Sequence, residues 1–245
     1  MVGKLKDAFP EARIHAWDPI HRDEIVAGAT TAYSSPVETH VDFAKASIVA
    51  SFDDDFLALD GNNLRNASDW AKTRREPKPG QVASRLYVFE SCYSTTGTAA
   101  DHRFRMGAQG ITEGLMQLAA ELGVGDNGEL GTAVAGYRGK SPTMAAVAKD
   151  LKSAGGNCAV VVGPRQPAVA HAVAHAINQA LGAVGKCITY TAMPESLRKR
   201  GIETMRELNT AIEGNQVKVL VCLGTNPAYD APADLPIQKH IREHK

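Results

Sequence analysis

Apolar positions along this chain fall into two alternating patterns. Short, nearly unbroken runs at 47–52 (SIVASF), 85–90 (RLYVFE), 158–162 (CAVVV), 186–190 (KCITY) and 217–223 (VKVLVCL) predict strands, with a shorter candidate at 12–17. Runs of this kind suit strands buried on both faces, as inside parallel sheets. Between them, apolar residues recur at helical spacing. Ile111, Leu115, Leu118, Ala119 and Leu122 predict a helix over 111–122, and similar patterns predict helices over 142–153, 168–181 and 196–212. A weaker helix is expected at 21–33. Another is expected at 65–76, stopped by Pro77-Lys78-Pro79-Gly80. Strand and helix in alternation imply parallel strands joined by right-handed crossovers, so the expected class is α/β, with parallel sheets and layered helices. The Gly-rich stretch 123–139 interrupts the alternation. It suggests a first lobe over 1–124, a second over 140–234 and a charged tail over 235–245.

Composition narrows the function classes. Lys+Arg and Asp+Glu balance at 27 each, which removes the electrostatic case for nucleic acid or an anionic membrane surface as partner. No apolar run approaches the roughly 20 residues that span a bilayer, so no direct membrane segment is expected. The start MVGKLKDAFPEA does not read as an export signal. Cys92, Cys158, Cys187 and Cys222 form no CxxC or CxxxC pair, so neither an iron–sulphur cluster nor a structural zinc is supported locally. Cys158, Cys187 and Cys222 lie in or beside apolar runs and read as small buried thiols.

Candidate chemistry concentrates where strands end in polar turns. The run ending at Phe52 meets Asp53-Asp54-Asp55, Val162 meets Gly163-Pro164-Arg165-Gln166, Leu223 meets Gly224-Thr225-Asn226-Pro227, and Phe89 is followed by Glu90. Strand ends of this kind can line a nucleotide-sized crevice, with carboxylates for ribose hydroxyls and helix N-termini for phosphate. They also arise wherever strands run into wet loops. No GxGxxG and no P-loop is present. His171 and His175 share one helix face, suited to binding a metal or haem or to packed structural imidazoles; the Ala/Val neighbours favour packing. Asp101-His102-Arg103 follows a polar, flexible-looking run at 91–100 and reads as a loop whose charges pair elsewhere. Arg74-Arg75 and Asp53–Asp55 read as solvated charges. No nucleophile elbow is present.

In order, these segments resemble the pterin-binding α/β domains of the molybdopterin oxidoreductase superfamily. FESCYSTTGTAADHRFRMGAQGITEGLMQLAAEL at 89–122 is similar to that family's strand-end acidic residue, Thr-Ala-rich loop, Ala-Asp and alanine-rich helix. Glu90 stands at the acidic position and Ala100-Asp101 at the Ala-Asp. Arg105-Met106-Gly107-Ala108-Gln109-Gly110 replaces the family's Pro-Gly-Thr-Asp, so the helix-opening Asp is absent. The segment 160–185, with Asn178 and Leu181-Gly182-Ala183-Val184-Gly185, and the segment 217–228 with its Gly-x-Asn-Pro turn, look like later family motifs. A narrower resemblance joins Asp53-Asp54-Asp55-Phe56-Leu57, Ala100-Asp101-His102-Arg103 and 180–186 to the large iron–sulphur subunit of alternative complex III.

The resemblance implies two Rossmann-like lobes and one pterin crevice, actual or vestigial, holding Asp54, Glu90, Asp101, Gly163, Gly224 and Asn226. It implies a domain of a larger, membrane-associated and periplasm-facing subunit that works beside other subunits or domains of a respiratory complex. In that subunit family the domain has lost its pterin, so the expectation is a scaffold with no cofactor, metal or catalytic residue of its own. The alternative is a functional molybdopterin guanine dinucleotide domain. A third reading is a stand-alone small-molecule-binding α/β protein or hydrolase.

Overall fold

The structure, a computed structural model, describes residues 2–75, 83–124, 129–194 and 197–243. In chain order the elements are α1 (Val2–Ala8), α2 (Asp23–Tyr33), β1 (Val37–Val41), β2 (Ile48–Phe52), α3 (Asn63–Arg74), β3 (Arg85–Glu90), α4 (Thr95–Thr98), β4 (His102–Arg105), α5 (Ala108–Leu122), α6 (Glu129–Ala135) and α7 (Pro142–Ser153). There follow β5 (Cys158–Val162), α8 (Ala168–Ala180), β6 (Ile188–Ala192), α9 (Gly201–Glu213), α10 (Pro227–Asp230) and α11 (Ile237–Glu243). The class is mixed α/β, built on a four-stranded, all-parallel sheet in the order β4-β3-β2-β5.

The chain divides into two compact units: Glu24–Ala192, and a smaller one made of Met1–Asp23 with Met193–Lys245. The Gly-rich stretch at 123–139 therefore lies inside the larger unit, with 125–128 outside the described residues. The stop signal expected at 77–80 also falls outside them.

In the larger unit, β2 is central and all five of its residues are buried, as its unbroken apolar run demands. Side chains alternate across a strand, so Phe52, Phe89 and Phe104, which face one another in register, form a stacked row with centroids 4.6 and 4.9 Å apart. Helix α5 lies over that row. A Cβ at Gly114 would come 3.0 Å from Met144 Cε and 3.8 Å from Phe52, so glycine sets the closeness of this approach. The helices stop and start where the sequence provides caps. Gly123, at φ +73, ends α5, and Ser141 with Pro142 opens α7. Among the described residues, no strand lies beyond β5 at that edge of the sheet. Instead the Asn178 side chain of α8 accepts from Val160 N at 2.9 Å and donates to Val160 O at 2.8 Å, satisfying both main-chain groups as a neighbouring strand would.

Three strand expectations are corrected. The run at 186–190 yields β6, which pairs antiparallel with β1 in a separate two-stranded ribbon and not in the parallel sheet. Residues 12–17 are not a strand; they run as irregular chain held by side chains, with Thr204 Oγ1 donating to Ala16 O and Trp17 Nε1 to Asp230 O. The most strand-like run of all, 217–223, is neither paired nor buried: Val219 and Leu223 are 79% and 78% exposed. Cys222 within it is exposed and not the buried thiol expected, whereas Cys158 and Cys187 are buried.

The smaller unit is helical. Met205, Leu208 and Ile212 of α9 meet Ile237 of α11, with Trp17 and Leu235 packed alongside. Asp23 caps α9 by accepting from Gly201 N at 2.7 Å and Ile202 N at 3.2 Å. The segment expected as a charged tail thus contributes a buried anchor, Ile237.

Candidate functional site

In the parallel sheet the chain moves from β2 outward to β3 and β4, then returns to place β5 on the other side of β2. The carboxyl ends of β2 and β5 are therefore the point where strand order reverses, the place where open α/β sheets leave a crevice. A cavity of about 340 Å3 lies there, walled by the first turns of α5 (Ala108, Gln109, Thr112, Glu113) and by Arg165, Gln166 and Pro167 leading into α8.

The chain supplies its own anion to this place. Asp53 follows β2 in the left-handed region, at φ +61, and its side chain is buried. Its carboxylate accepts from Arg165 Nε and Nη2 at 3.2 and 3.1 Å and from Gln166 Nε2 at 3.2 Å. That bonding raises the Arg165 pKa further, a partial desolvation notwithstanding. Gln166 in turn accepts from Thr112 Oγ1 of α5 at 2.8 Å. Gly163 closes against the same turn: a Cβ there would stand 1.8 Å from the Asp53 carbonyl oxygen.

The neighbouring carboxylates are engaged in the same way. Asp55 is buried and accepts from Thr96 N and Oγ1 at 2.8 and 2.7 Å. Asp60 accepts from Asp55 N, and burial pushes its carboxyl above the usual range. Glu90, at the end of β3 and 3% exposed, accepts from Ser94 Oγ and Arg103 Nε, both at 2.5 Å. Gly97 of α4 presses on Glu90 so closely that a Cβ would fall 2.0 Å from Oε1. Arg103 also lies over the Tyr93 ring at 4.4 Å. The run at 91–100 is thus ordered: Ser94 caps α4, and Thr96 and Gly97 are buried.

Of the residues expected to share a crevice, Asp54, Glu90 and Gly163 do lie at the carboxyl end of the sheet; Asp54 is half-buried and its carbonyl accepts from Ser51 Oγ. Asp101 does not. It precedes β4, at the amino end of the sheet, where it accepts from Leu86 N and from both Arg74 terminal nitrogens, at 3.0 and 2.8 Å. Burial alone would raise its pKa, but the Leu86 and Arg74 bonds outweigh burial and hold it below the usual carboxylate range. Gly224 and Asn226 belong to the smaller unit, where Gly224 takes φ +67 in open space and Asn226 leads into α10. Arg74, Asp53 and Asp55, read as solvated charges, are pairing residues instead. Arg165 and Asp53 carry the arrangement; both stand in the strand-end turns named from the sequence but were not among the residues expected to hold a ligand. The one available signal was an Arg-Gln pair just after a Gly-Pro strand end, opposite an acidic one.

His171 and His175 are both buried in α8, as packed imidazoles should be. His175 Nδ1 lies 3.1 Å from the Tyr190 hydroxyl, with the Tyr33 ring edge-on at 5.2 Å, and burial pushes its pKa down to about 4. Among the described residues no group of three or more His, Cys, Asp or Glu is arranged to hold a metal ion, and no helix is long and apolar enough to cross a membrane. No family model and no curated protein matches the chain.

Within the larger unit the crevice is already occupied by the chain's own groups. Its carboxylates are consumed by the chain's own donors, and its two glycine approaches are filled by Asp53 and Glu90. The remaining cavity, about 340 Å3, sits at the lower end of the ~300–1,000 Å3 usual for small-molecule sites.

Proposed function

We propose that this chain is a molybdopterin-oxidoreductase-like domain of a respiratory electron-transfer subunit, acting as a scaffold without a redox centre of its own. Its partners are other subunits or domains of a membrane-associated complex. The observation that carries this reading is the self-filled strand-end crevice: Arg165 and Gln166, the groups best placed to take a ligand anion at the reversal of strand order, are bound to the buried Asp53 carboxylate. A binding site for a dinucleotide needs those donors free and those glycines uncovered. Desolvating Asp53 costs free energy that the three hydrogen bonds it accepts offset, so a ligand entering here would have to displace a satisfied internal pair. The two-lobed Rossmann-like arrangement belongs to the same proposal; one parallel sheet is present among the described residues.

The test is chemical analysis of the full-length subunit, purified from its native complex, for molybdenum and for released pterin. The scaffold reading expects neither above background. Stoichiometric molybdenum and pterin would overturn it and favour a functional cofactor domain.

A further inference from the structure

The smaller unit has a cleft of its own, independent of the strand-end crevice. One wall is α9 and the other is the segment 12–15, held close by the bond from Thr204 Oγ1 to Ala16 O. The cleft measures about 720 Å3, well inside the range for small-molecule sites. Lys6, Arg13, Lys199 and Arg206 line it, against a single carboxylate, Glu207. Lys199 Nζ engages that carboxylate at 2.5 Å, and this bond, with the nearby Lys199, His15 and Arg13 charges, holds Glu207 below the usual range. Arg13 and Arg206 make no ion pair among the described residues. His15 Nδ1 is a buried atom without a hydrogen-bond partner.

In a chain whose charges cancel overall, such an excess of cations around one concavity is local. Two guanidinium groups are the donors that best match phosphate oxygens, because each presents a rigid planar fork. Ile14 and Ala211, also in the lining, give an apolar surface for the rest of a ligand. We propose that this cleft binds a phosphorylated small molecule, with Arg13 and Arg206 clamping the phosphate and Lys199 and Lys6 supplying further positive charge.

The experiment uses the full chain and isothermal titration with inorganic pyrophosphate, ATP and citrate at low and near-physiological salt. The expected result is saturable one-to-one binding of pyrophosphate or ATP that weakens with salt and exceeds citrate binding at least tenfold. Arg13→Ala and Arg206→Ala should each weaken it about tenfold, whereas Lys149→Ala, a charge removal on α7, should leave it unchanged. Both arginines are exposed, so folding should survive; thermal unfolding checks this. A shift of the His15 ring resonances on titrating the unaltered chain gives a readout that needs no variant. Absent saturable binding, an equal loss with Lys149→Ala, unchanged His15 resonances at saturation, or citrate binding as tight as pyrophosphate would each overturn the proposal.

Discussion

Gly163 and Gly224 both follow strand-like apolar runs, yet the structure uses them differently. Gly163 lies where any Cβ would collide with the main-chain oxygen of Asp53 at 1.8 Å, while Gly224 faces open space but holds φ +67. Gly163→Ala must move backbone and should cost about 3 kcal/mol. Gly224→Ala should cost only the left-handed penalty, about 1 kcal/mol. Urea unfolding of the two variants measures this, and equal losses would show that the contact of Gly163 with the Asp53 turn yields more easily than its geometry implies. His175 gives a pH dependence with a definite sign. Its folded pKa of about 4 lies below the unfolded 6.5, so the unfolded chain binds the proton more readily. Stability should be unaffected above pH 6.5 and fall as pH drops from 6.5 towards 4, by on the order of 3 kcal/mol. His175→Phe should flatten that part of the stability profile relative to the unaltered protein; an unchanged slope would assign the loss to other groups. Glu90 was legible in the sequence because a carboxylate ending an apolar run is conspicuous. Asp53 was not, since three consecutive aspartates read as solvent-facing, and only its left-handed backbone turns the side chain inward onto Arg165.

Elements were legible where periodicity and burial agree. The runs of β2, β3 and β5 and the spaced apolar positions of α5, α7 and α8 form what their patterns predict, because each packs against the others in one core. Pairing was not legible. The run at 188–192 joins β1 through an antiparallel register from Val41↔Ile188 to Val37↔Ala192, and β1, with its mixed sequence VETHV, carries little apolar signal. Strand β4 is equally short and polar, and it depends on Phe104 stacking onto Phe89. The segment 217–223 shows the opposite failure: it has the composition of a core strand and no main-chain partner among the described residues. Apolar chain with unpaired main-chain groups favours pairing with another copy. Val219→Lys with Val221→Lys should therefore leave the melting temperature of the folded chain within a degree or two, because surface substitutions change stability by less than about 0.5 kcal/mol. The same pair should lower concentration-dependent association in sedimentation velocity. A substantial loss of stability would mean these valines are buried in solution.

At the scale of the whole chain, the two units differ in what holds them. The larger unit closes around one continuous core in which β2, β3 and β5 are buried and α5 carries six buried positions. The smaller rests, among the described residues, on a cluster of four large buried side chains, Met205, Leu208, Ile212 and Ile237, helped by the Asp23 cap and the Trp17 bond. Burying a large apolar side chain contributes about 1.5–3 kcal/mol, so a cluster of four resists opening far less than the larger core does. Opening free energies follow local burial, and regions with few buried contacts exchange their amides first. Hydrogen exchange followed by mass spectrometry should find α9 amides exchanging through an opening several kcal/mol below that of β2, β3 and α5. Pyrophosphate bound in the anion cleft should slow exchange in α9 and at 12–17 while leaving the parallel sheet unchanged, because a ligand stabilises only the folded form it binds. Equal protection of α9 and β2 without ligand would contradict the unequal cores, and it would do so whether or not the cleft binds phosphate.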